Sequence, residues 1–495
     1  MSMSCKDLFE GVECTILGNP QDCVSGLAYR SDAVKPGDAF FCIVGQVSDG
    51  HSYAQDAINR GAKVLVVERK VYLADATDVT EVVVSDSRKA MACASANFYH
   101  HPSRDFSLVG VTGTNGKTTT TYLVEAIART AGKRTGVIGT VGIRIGDKTQ
   151  KSEHTTPESP DLQKDFALMR DAGVDVVAME VSSHALDLLR TWDTTFAVTA
   201  FTNLTQDHLD YHHTFEAYFE AKAKLFSKDY PARRVICIDD AWGRKLWQRC
   251  SAADDSIITT GFASDAQIHP KDVTYTPTHT EIVLEVRGNT FAFTYPLVGA
   301  FNVQNVMTAF AIGLQLGFSP DVIITALSHA PQVPGRLERI SEPAECGIGV
   351  YVDYAHTPDA LKKAVDSLSE LTKGKMVCVF GCGGDRDATK RPLMGQAALD
   401  ADYCIVTSDN PRTEDPLAII ADIVGGMAGS EDRFEVLPDR REAIARALEL
   451  AEPGDTVLIA GKGHEDYQIV GKEVLSFDDR KVAAEQWARL QSERA

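Results

Sequence analysis

The stretch 106–121, FSLVGVTGTNGKTTTT, decides the fold. Residues 106–111 form an apolar run that reads as a buried parallel strand. The chain then breaks into a small polar loop at 112–116, followed by Lys117, a run of threonines and a helical pattern over 122–130. Strand, glycine loop, Lys-Thr and helix in that order make a phosphate-binding loop. Gly113 and Gly116 let backbone N–H groups approach phosphate oxygens with no Cβ in the way. The helix N-terminus adds its partial positive charge. In this reading Lys117 sits on the β- and γ-phosphates and the Thr118 hydroxyl ligates Mg²⁺. One position departs from G-x-x-x-x-G-K-[ST]: Val111 stands at the first glycine, and Gly113 follows two residues later. A glycine turn with a surface lysine would need neither the strand before it nor the helix after it.

Strands alternate with helical segments outward from this loop. Apolar runs at 135–138, 174–180, 197–203, 234–238 and 257–261 argue a parallel sheet with helices on both faces. Residues 272–298 alternate as an antiparallel appendage. These elements make a central domain, 105–333, which carries the phosphate loop. Before it, 1–104 reads as a small α/β module, with strand signals at 30–45, 61–69 and 81–85 and helices at 53–60 and 88–99. His100 and His101 fall in the linker and read as solvated. Pro331, Pro334 and Gly335 mark a second hinge. After it, 334–495 reads as a Rossmann-like α/β domain with strands at 350–353, 376–380, 403–407 and 456–460. Each of these strands ends in a polar loop: DYAHTPD, GCGGDRD, SDNPR and GKGHED. Ligands of such sheets bind beyond the strands' carboxyl ends, where these loops fall. The expected fold is therefore α/β in three domains.

Composition narrows the function. Lys and Arg total 50 against 69 Asp and Glu, a net charge of −19. Such a surface repels nucleic acid and anionic membrane, so an anionic substrate needs a local basic site. Eleven cysteines are scattered without a framework, which favours reduced thiols and a cytoplasmic location. Cys378 and Cys382 lack the second pair that a zinc site requires. The N-terminal stretch is acidic and has no apolar core, unlike a signal peptide. No run of 18 apolar residues exists, so membrane insertion is not expected.

Two further motifs belong with the phosphate loop. MEVSSH ends an apolar strand with Glu180, a carboxylate placed to hold Mg²⁺. DHLDYH concentrates carboxylates and imidazoles after another strand, and makes His208 a second candidate ligand. In the helix 217–226, Lys222 and Lys224 are alike by composition.

With these residues in place, the chain resembles the ATP-dependent Mur ligases of peptidoglycan synthesis, in particular those that add 2,6-diaminopimelate to a UDP-muramoyl dipeptide. The motifs run in the family's order: TGTNGKTTT, EVSSHAL, TNLTQDHLDYH, AKAKLF, GAFNVQN, PGRLE, DYAHTPD, FGCGGDRDATKRPLMG, TSDNPR and GKGHEDYQ. The resemblance implies a first domain for the UDP-sugar, a second for ATP and a third for the incoming amino acid. It implies ATP and Mg²⁺ as cofactors, small-molecule substrates, and a monomer as the expected form. ATP contacts fall on Gly113, Thr114, Asn115, Gly116, Lys117, Thr118, Thr119, Asn305, Arg336 and Asp353. Lys222 matches a lysine carbamylated by CO₂, which helps position Mg²⁺ with Thr118, Glu180 and His208. Ser31, Thr155, Thr156, Ser182 and Arg190 match positions on the UDP-muramoyl dipeptide. Arg386, Asp409, Asn410, Pro411, Arg412, Gly461 and Glu465 match the diaminopimelate pocket.

Diaminopimelate presents a zwitterion at its far end, which asks for a guanidinium and for acceptors. Arg412 supplies the first; Asp409, Asn410 and Glu465 supply the second. Ligases for lysine, which has no distal carboxylate, resemble this chain without the arginine of DNPR. Some positions depart from the family pattern: Arg30-Ser31-Asp32, Leu188, and His154 and Pro157 around Thr155-Thr156. The resemblance implies an acyl-phosphate route: the D-Glu carboxylate attacks the γ-phosphate, then the amine displaces phosphate. His184 and His208 are candidates for the amine's base. Rival readings are a ligase for lysine or another amino acid, a folylpolyglutamate- or alanyl-alanine-adding relative, a P-loop kinase, and a non-catalytic ATP-binding regulator.

Overall fold

The computed structural model describes residues 2–45, 48–71, 78–252, 254, 256–340, 343–344 and 346–494. They fall into two compact units: Met1–Thr112, Gly132–Thr199 and Glu220–Arg234, and then Gly113–Ala131, Ala200–Phe219 and Val235–Ala495.

The first unit contains a five-stranded sheet in the order Cys14–Leu17, Thr80–Val84, Val64–Val67, Asp38–Phe41, Gly26–Ala28. The first pair is antiparallel and the others are parallel. Alternate side chains divide its core. Ala39, Phe41, Val64, Val66, Val82 and Val84 pack with Met91, Ala94 and Phe98 of the helix Ser87–Phe98. Phe40, Leu65 and Val67 pack with Ala54 and Ala57 of the helix Ala54–Asn59. Asp86 caps the longer helix, accepting from the backbone N–H groups of Arg88 and Lys89 at 2.9 Å each. Cys14–Leu17 has no counterpart in the sequence reading; its half-buried alternation is short and weak.

The same unit holds three parallel strands, Thr135–Gly139, Val176–Glu180 and Ser107–Thr112, in that spatial order. The hairpin strands Gly142–Ile145 and Lys148–Gln150 extend them antiparallel. Glu180, the last strand residue, lies opposite Val111, at the edge where the phosphate-loop strand ends. Of the linker histidines, His100 is exposed, as a solvated stretch requires, whereas His101 is partly buried. His100 and His101 take left-handed φ of 59° and 50°, and the partly buried His101 ring faces Asp193 at 3.9 Å.

The second unit begins with the phosphate loop and its helix, Lys117–Thr130. This helix starts five residues earlier than the apolar pattern suggests. Threonines are weak helix formers, but Thr118–Thr121 are all buried here and packing overrides propensity. Val235–Cys237 pairs parallel with Ile258–Thr260, which meets Ile268–Tyr275. Thr280–Val286 and Asn289–Tyr295 complete the expected antiparallel appendage.

A six-stranded sheet follows, in the order Glu338–Arg339, Gly349–Asp353, Thr456–Ala460, Met376–Phe380, Tyr403–Val406, Phe434–Val436. Its five long-axis strands are parallel, and Glu338–Arg339 is antiparallel. Cys378, Phe380, Cys404, Val406, Leu458 and Ala460 face one helical layer, from Pro358–Ser369, Lys390–Ala398 and Pro416–Gly425. Val377, Val379, Ile405, Val457 and Ile459 face the other, from Arg440–Leu450 and Asp479–Arg494. The chain crosses the sheet with helices on one face and returns on the other, as right-handed crossovers require. Cys378 and Cys382 are core thiols. Burial pushes the first well above the ordinary thiol range and the second up to about 12.

Inside this sheet lies one fully buried ion pair. Arg440 donates from Nε and Nη2 to both oxygens of Asp479, at 2.8 and 2.7 Å, and from Nη2 to Ala460 O at 2.9 Å. Both side chains have no exposed surface. Arg440→Ala strands the Asp479 carboxylate in the core. The expected loss is about 3–5 kcal/mol of unfolding free energy, measured by urea denaturation. Arg440→Met combined with Asp479→Leu, which removes both charges, is expected to cost less than the single change.

Candidate active site

The phosphate loop is held by the segment 202–205, just after an apolar strand. Thr114 N–H donates to Asn203 O at 2.9 Å, and Thr205 N–H donates to Thr114 Oγ1 at 3.0 Å. Asn115 is gripped at both backbone ends: its N–H donates to Asn203 Oδ1, and its carbonyl accepts from Thr202 Oγ1 and Asn203 Nδ2. Gly116 caps the helix with φ of 86°, against the Asn305 amide, where a Cβ would collide. Lys117 Nζ folds back onto its own loop and donates to Gly113 O at 3.0 Å and Thr114 O at 2.8 Å. Arg336 Nη2 donates to Thr118 Oγ1 at 3.1 Å, and its guanidinium stacks 4.6 Å over the Tyr354 ring. Thr119 and Asn305 are buried beside them in the same unit. Asp353 accepts from Leu337 N–H at 2.6 Å, and burial raises its carboxyl above the usual range.

Asp207 and His208 stand 3.3 Å apart. Burial pushes Asp207 upward, but the charges of His208, His356, Lys390 and Lys117 outweigh it and hold its carboxyl low. The first unit holds Glu180 and Lys222. Glu180 is buried; Oε1 accepts from Thr140 N–H at 2.9 Å and Oε2 from Thr140 Oγ1 at 3.2 Å. The two lysines that composition left equal are separated by burial. Lys222 is 1 % exposed, whereas Lys224 is exposed and pairs with Asp187 at 2.7 Å. A buried amine must be answered by a partner or a chemical change.

Four of the five sugar-site candidates gather around Thr156. Its Oγ1 donates to Glu180 O and accepts from Ser182 N–H, and its carbonyl accepts from Arg190 Nη1 at 2.9 Å. Thr155 Oγ1 lies 3.1 Å from Thr140 Oγ1. Arg190 also pairs with Glu158 at 2.8 Å, which Arg88 approaches from the other side at 3.7 Å. Ser31 is placed apart from these four, with its hydroxyl on Asp56.

The loops of the six-stranded sheet interlock at its carboxyl edge. Gly384 N–H donates to Asn410 O, and Arg412 Nη1 donates to Gly384 O at 2.8 Å. Arg412 has a left-handed φ of 53°, fixed by its N–H to Ile469 O and by Gly471 N–H to its carbonyl. Pro411 precedes it, and Gly461 backs onto Asp409. Asn410 Nδ2 donates to Glu465 Oε2 at 2.8 Å. Arg386 is exposed, with Nη1 on its neighbour's carbonyl, Asp385 O. Arg412, Asn410, Asp409, Gly461 and Glu465 are thus brought together, and Arg386 stands at the rim.

Family models match residues 24–104 (Mur ligase family, catalytic domain), 111–313 (Mur ligase middle domain) and 335–463 (Mur ligase, glutamate ligase domain). The chain belongs to the Mur ligase family. It is 45% identical to the UDP-N-acetylmuramoyl-L-alanyl-D-glutamate–2,6-diaminopimelate ligase of Syntrophomonas wolfei, over 93% of this chain and 94% of that one. The ligase of the same name from Geobacillus thermodenitrificans is 46% identical over 94% and 95%. A solved structure of a ligase of that name superposes with a TM-score of 0.70 at 32% identity, covering 99% of this chain and all of the other. MurF from Acinetobacter baumannii shares the fold, with a TM-score of 0.66 at 17% identity over 93% and 95%. The α/β fold is therefore the three-domain Mur ligase architecture.

Several site residues of this Mur ligase escaped the sequence reading. Thr202 and Asn203 brace the phosphate loop from within TNLTQDH, where the eye goes to Asp207 and His208. Asp359 accepts from Asn115 Nδ2 at 3.2 Å. Lys462 lies buried between Asn410 and Glu465, its glycine flanks suggesting only a turn. Among the described residues, no three His, Cys, Asp or Glu side chains gather to hold a metal. Hydroxyl and carboxylate oxygens, such as Thr118 and Glu180 each carry in their own units, are donor types that suit Mg²⁺, which keeps waters and phosphate oxygens in its shell rather than a full protein cage.

His356 gives this region a pH signature. Burial and then the Lys390 charge push it down to about 4, and Asp207 only partly offsets them. The unfolded ring titrates near its ordinary value of about 6.5. Between those values the unfolded chain binds more protons, so stability rises with pH. Urea denaturation is expected to show about 1–3 kcal/mol lost between pH 7 and 4.5, and His356→Gln should flatten that slope.

Proposed function

We propose that this chain joins meso-2,6-diaminopimelate to UDP-N-acetylmuramoyl-L-alanyl-D-glutamate, with ATP converted to ADP and phosphate. It is an ATP-dependent ligase of peptidoglycan precursor synthesis, acting as a cytoplasmic monomer. The observation that carries the amino-acid assignment is the interlocked pocket of Arg412, Asn410 and Glu465. It offers a guanidinium for a distal carboxylate and acceptors for a distal ammonium. The near-complete relationship to ligases named for this reaction supports it.

The residues divide the work. The loop 113–119 takes the phosphates through Lys117 and the backbone N–H groups that open its helix, and Asn305, Arg336 and Asp353 take the rest of the nucleotide. Ser31, Thr155, Thr156, Ser182 and Arg190 hold the UDP-muramoyl dipeptide. The D-Glu carboxylate attacks the γ-phosphorus of ATP; ADP leaves and an acyl phosphate forms. Lys117 neutralises charge developing on the transferred group. Mg²⁺, when bound, supplies a Lewis acid to the same oxygens, with Thr118, Glu180, His208 and carbamylated Lys222 as its holders. Carbamylation joins the deprotonated Nζ amine to CO₂ with loss of a further proton, so an ammonium cation that gives up two protons in all becomes a carbamate anion. The deprotonated diaminopimelate amine then attacks the acyl carbon, and phosphate departs. Arg386, Asp409, Asn410, Pro411, Arg412, Gly461 and Glu465 orient that amine by gripping the far end of the amino acid.

The test is phosphate release with the UDP-muramoyl dipeptide, ATP and Mg²⁺, comparing diaminopimelate with L-lysine. Diaminopimelate is expected to be strongly preferred. Arg412→Ala should lower kcat/KM for it roughly 10- to 100-fold, the loss of one charge-assisted contact. Equal use of lysine by the wild type would refute the Arg412 clamp. Release with neither amino acid would refute the ligase assignment.

A further inference from the structure

The pocket loops contain a buried cation to which the proposed function gives no role. Lys462 has no exposed side-chain surface, and its ammonium lies between two pocket residues. Nζ donates to Asn410 Oδ1 at 3.1 Å and to Glu465 Oε2 at 3.0 Å, and sits 5.5 Å from the Tyr467 ring centre.

This arrangement dictates the orientation of both neighbours. Asn410 Oδ1 faces two donors, Lys462 Nζ and Ile469 N–H at 2.9 Å, so its oxygen must point that way. The amide nitrogen is then aimed at Glu465 Oε2. Oε2 receives both Asn410 and Lys462. Oε1 keeps only a long 3.5 Å contact from Tyr467 OH among the hydrogen bonds seen here, and is the oxygen open to an incoming ammonium. Glu465 retains some exposure, 13 % of its side chain.

We propose that Lys462 is the positioning residue of the amino-acid pocket: it turns the Asn410 amide and holds Glu465 as an anion that receives the substrate's distal ammonium. This rests on the diaminopimelate reading above. The electrostatics agree. Burial raises the Glu465 carboxyl and Asp409 raises it further, while Lys462 and the Asn410 amide lower it. Tyr354, Tyr467 and Arg440 also face this carboxylate. Lys462 is the nearest of the cations, in direct contact with the carboxylate. Without it, burial and the Asp409 charge favour the protonated carboxyl, which no longer attracts a cation.

The experiment measures KM for diaminopimelate, ATP and the UDP-muramoyl dipeptide in wild type, Lys462→Met, Lys462→Arg, Glu465→Gln and the Lys462→Met/Glu465→Gln double variant, from pH 6.5 to 9. In Lys462→Met, KM for diaminopimelate should rise at least tenfold at pH 6.5 and the other two stay within twofold. The defect should shrink as pH rises and Glu465 ionises, and Lys462→Arg should recover most of it. The double variant removes both charges, so it leaves no unpaired ion to block folding. Its KM should match that of Glu465→Gln alone, because the lysine acts through the glutamate. A diaminopimelate KM unchanged in Lys462→Met, a pH-independent rise in all three KM values, or full additivity in the double variant would overturn the proposal. Should Lys462→Met not fold, the comparison of the double variant with Glu465→Gln decides the matter alone. A wild type that does not use diaminopimelate would refute the reading of the pocket rather than the role of its lysine.

Discussion

Parallel strands all end on one edge of a sheet, and the loops leaving them have nowhere else to meet. In the six-stranded sheet this places DYAHTPD, GCGGDRD, TSDNPR and GKGHED together, although up to about a hundred residues of chain separate them. Such loops carry backbone groups that no ladder pairs, and they satisfy one another. Gly384 N–H reaches Asn410 O, Arg412 N–H reaches Ile469 O, and Gln468 Nε2 reaches Asp409 O at 2.7 Å. The pocket is therefore a by-product of backbone accounting. Side chains with recognition chemistry ride on segments already fixed by the need to pair.

The crossing of residues 335 and 463 shows how tight that accounting is. Gly335, with φ of 63°, lies against Gly463 and the His464 N–H, and Tyr354 N–H donates to its carbonyl at 2.9 Å. Two glycines from different loops touch because neither has a Cβ. The Tyr354 ring then packs at a tilt against His356 and His464 and carries the Arg336 guanidinium over its face. Arg336 reaches Thr118 from there, so the start of the phosphate-loop helix and the PGR and DYAH segments share one packed contact within their unit.

Much of this was legible in the sequence for a physical reason. The buried parallel strands are continuous apolar runs, and the functional loops are polar interruptions at their ends. Met376–Phe380 and Thr456–Ala460 were readable to the residue. Short half-exposed strands such as Cys14–Leu17 and Phe434–Val436 were not, because partner strands create them rather than their own pattern. The helix at Lys117 begins before its apolar pattern does, since a threonine run predicts little until the packing that buries it is known. Lys222 and Lys224 cannot be told apart by type, and about half a turn of helix decides between solvent and core. Lys462 was invisible because a lysine between glycines looks like a turn, and its value lies in two partners, one 52 residues away.

The cations of this acidic chain fall into two kinds, distinguished by what holds them. Arg440 and Arg391 meet carboxylates: Asp479 for the first, Glu414 and Asp422 for the second. Their charge is cancelled where it sits, and they work as braces. Lys117 is steered by the carbonyls of Gly113 and Thr114, Arg412 by the carbonyl of Gly384, and Arg336 by a hydroxyl and an aromatic face. A carbonyl or a ring orients a cation through a dipole or quadrupole without neutralising it. The field of such a cation still projects outward toward an anionic ligand, which a surface of net charge −19 would otherwise repel. Lys462 bridges the two kinds. It meets a carboxylate, yet through one oxygen shared with an amide, so that the other oxygen keeps its attraction for a cation. Opposite charges can therefore be presented in one pocket, as recognition of a zwitterion demands.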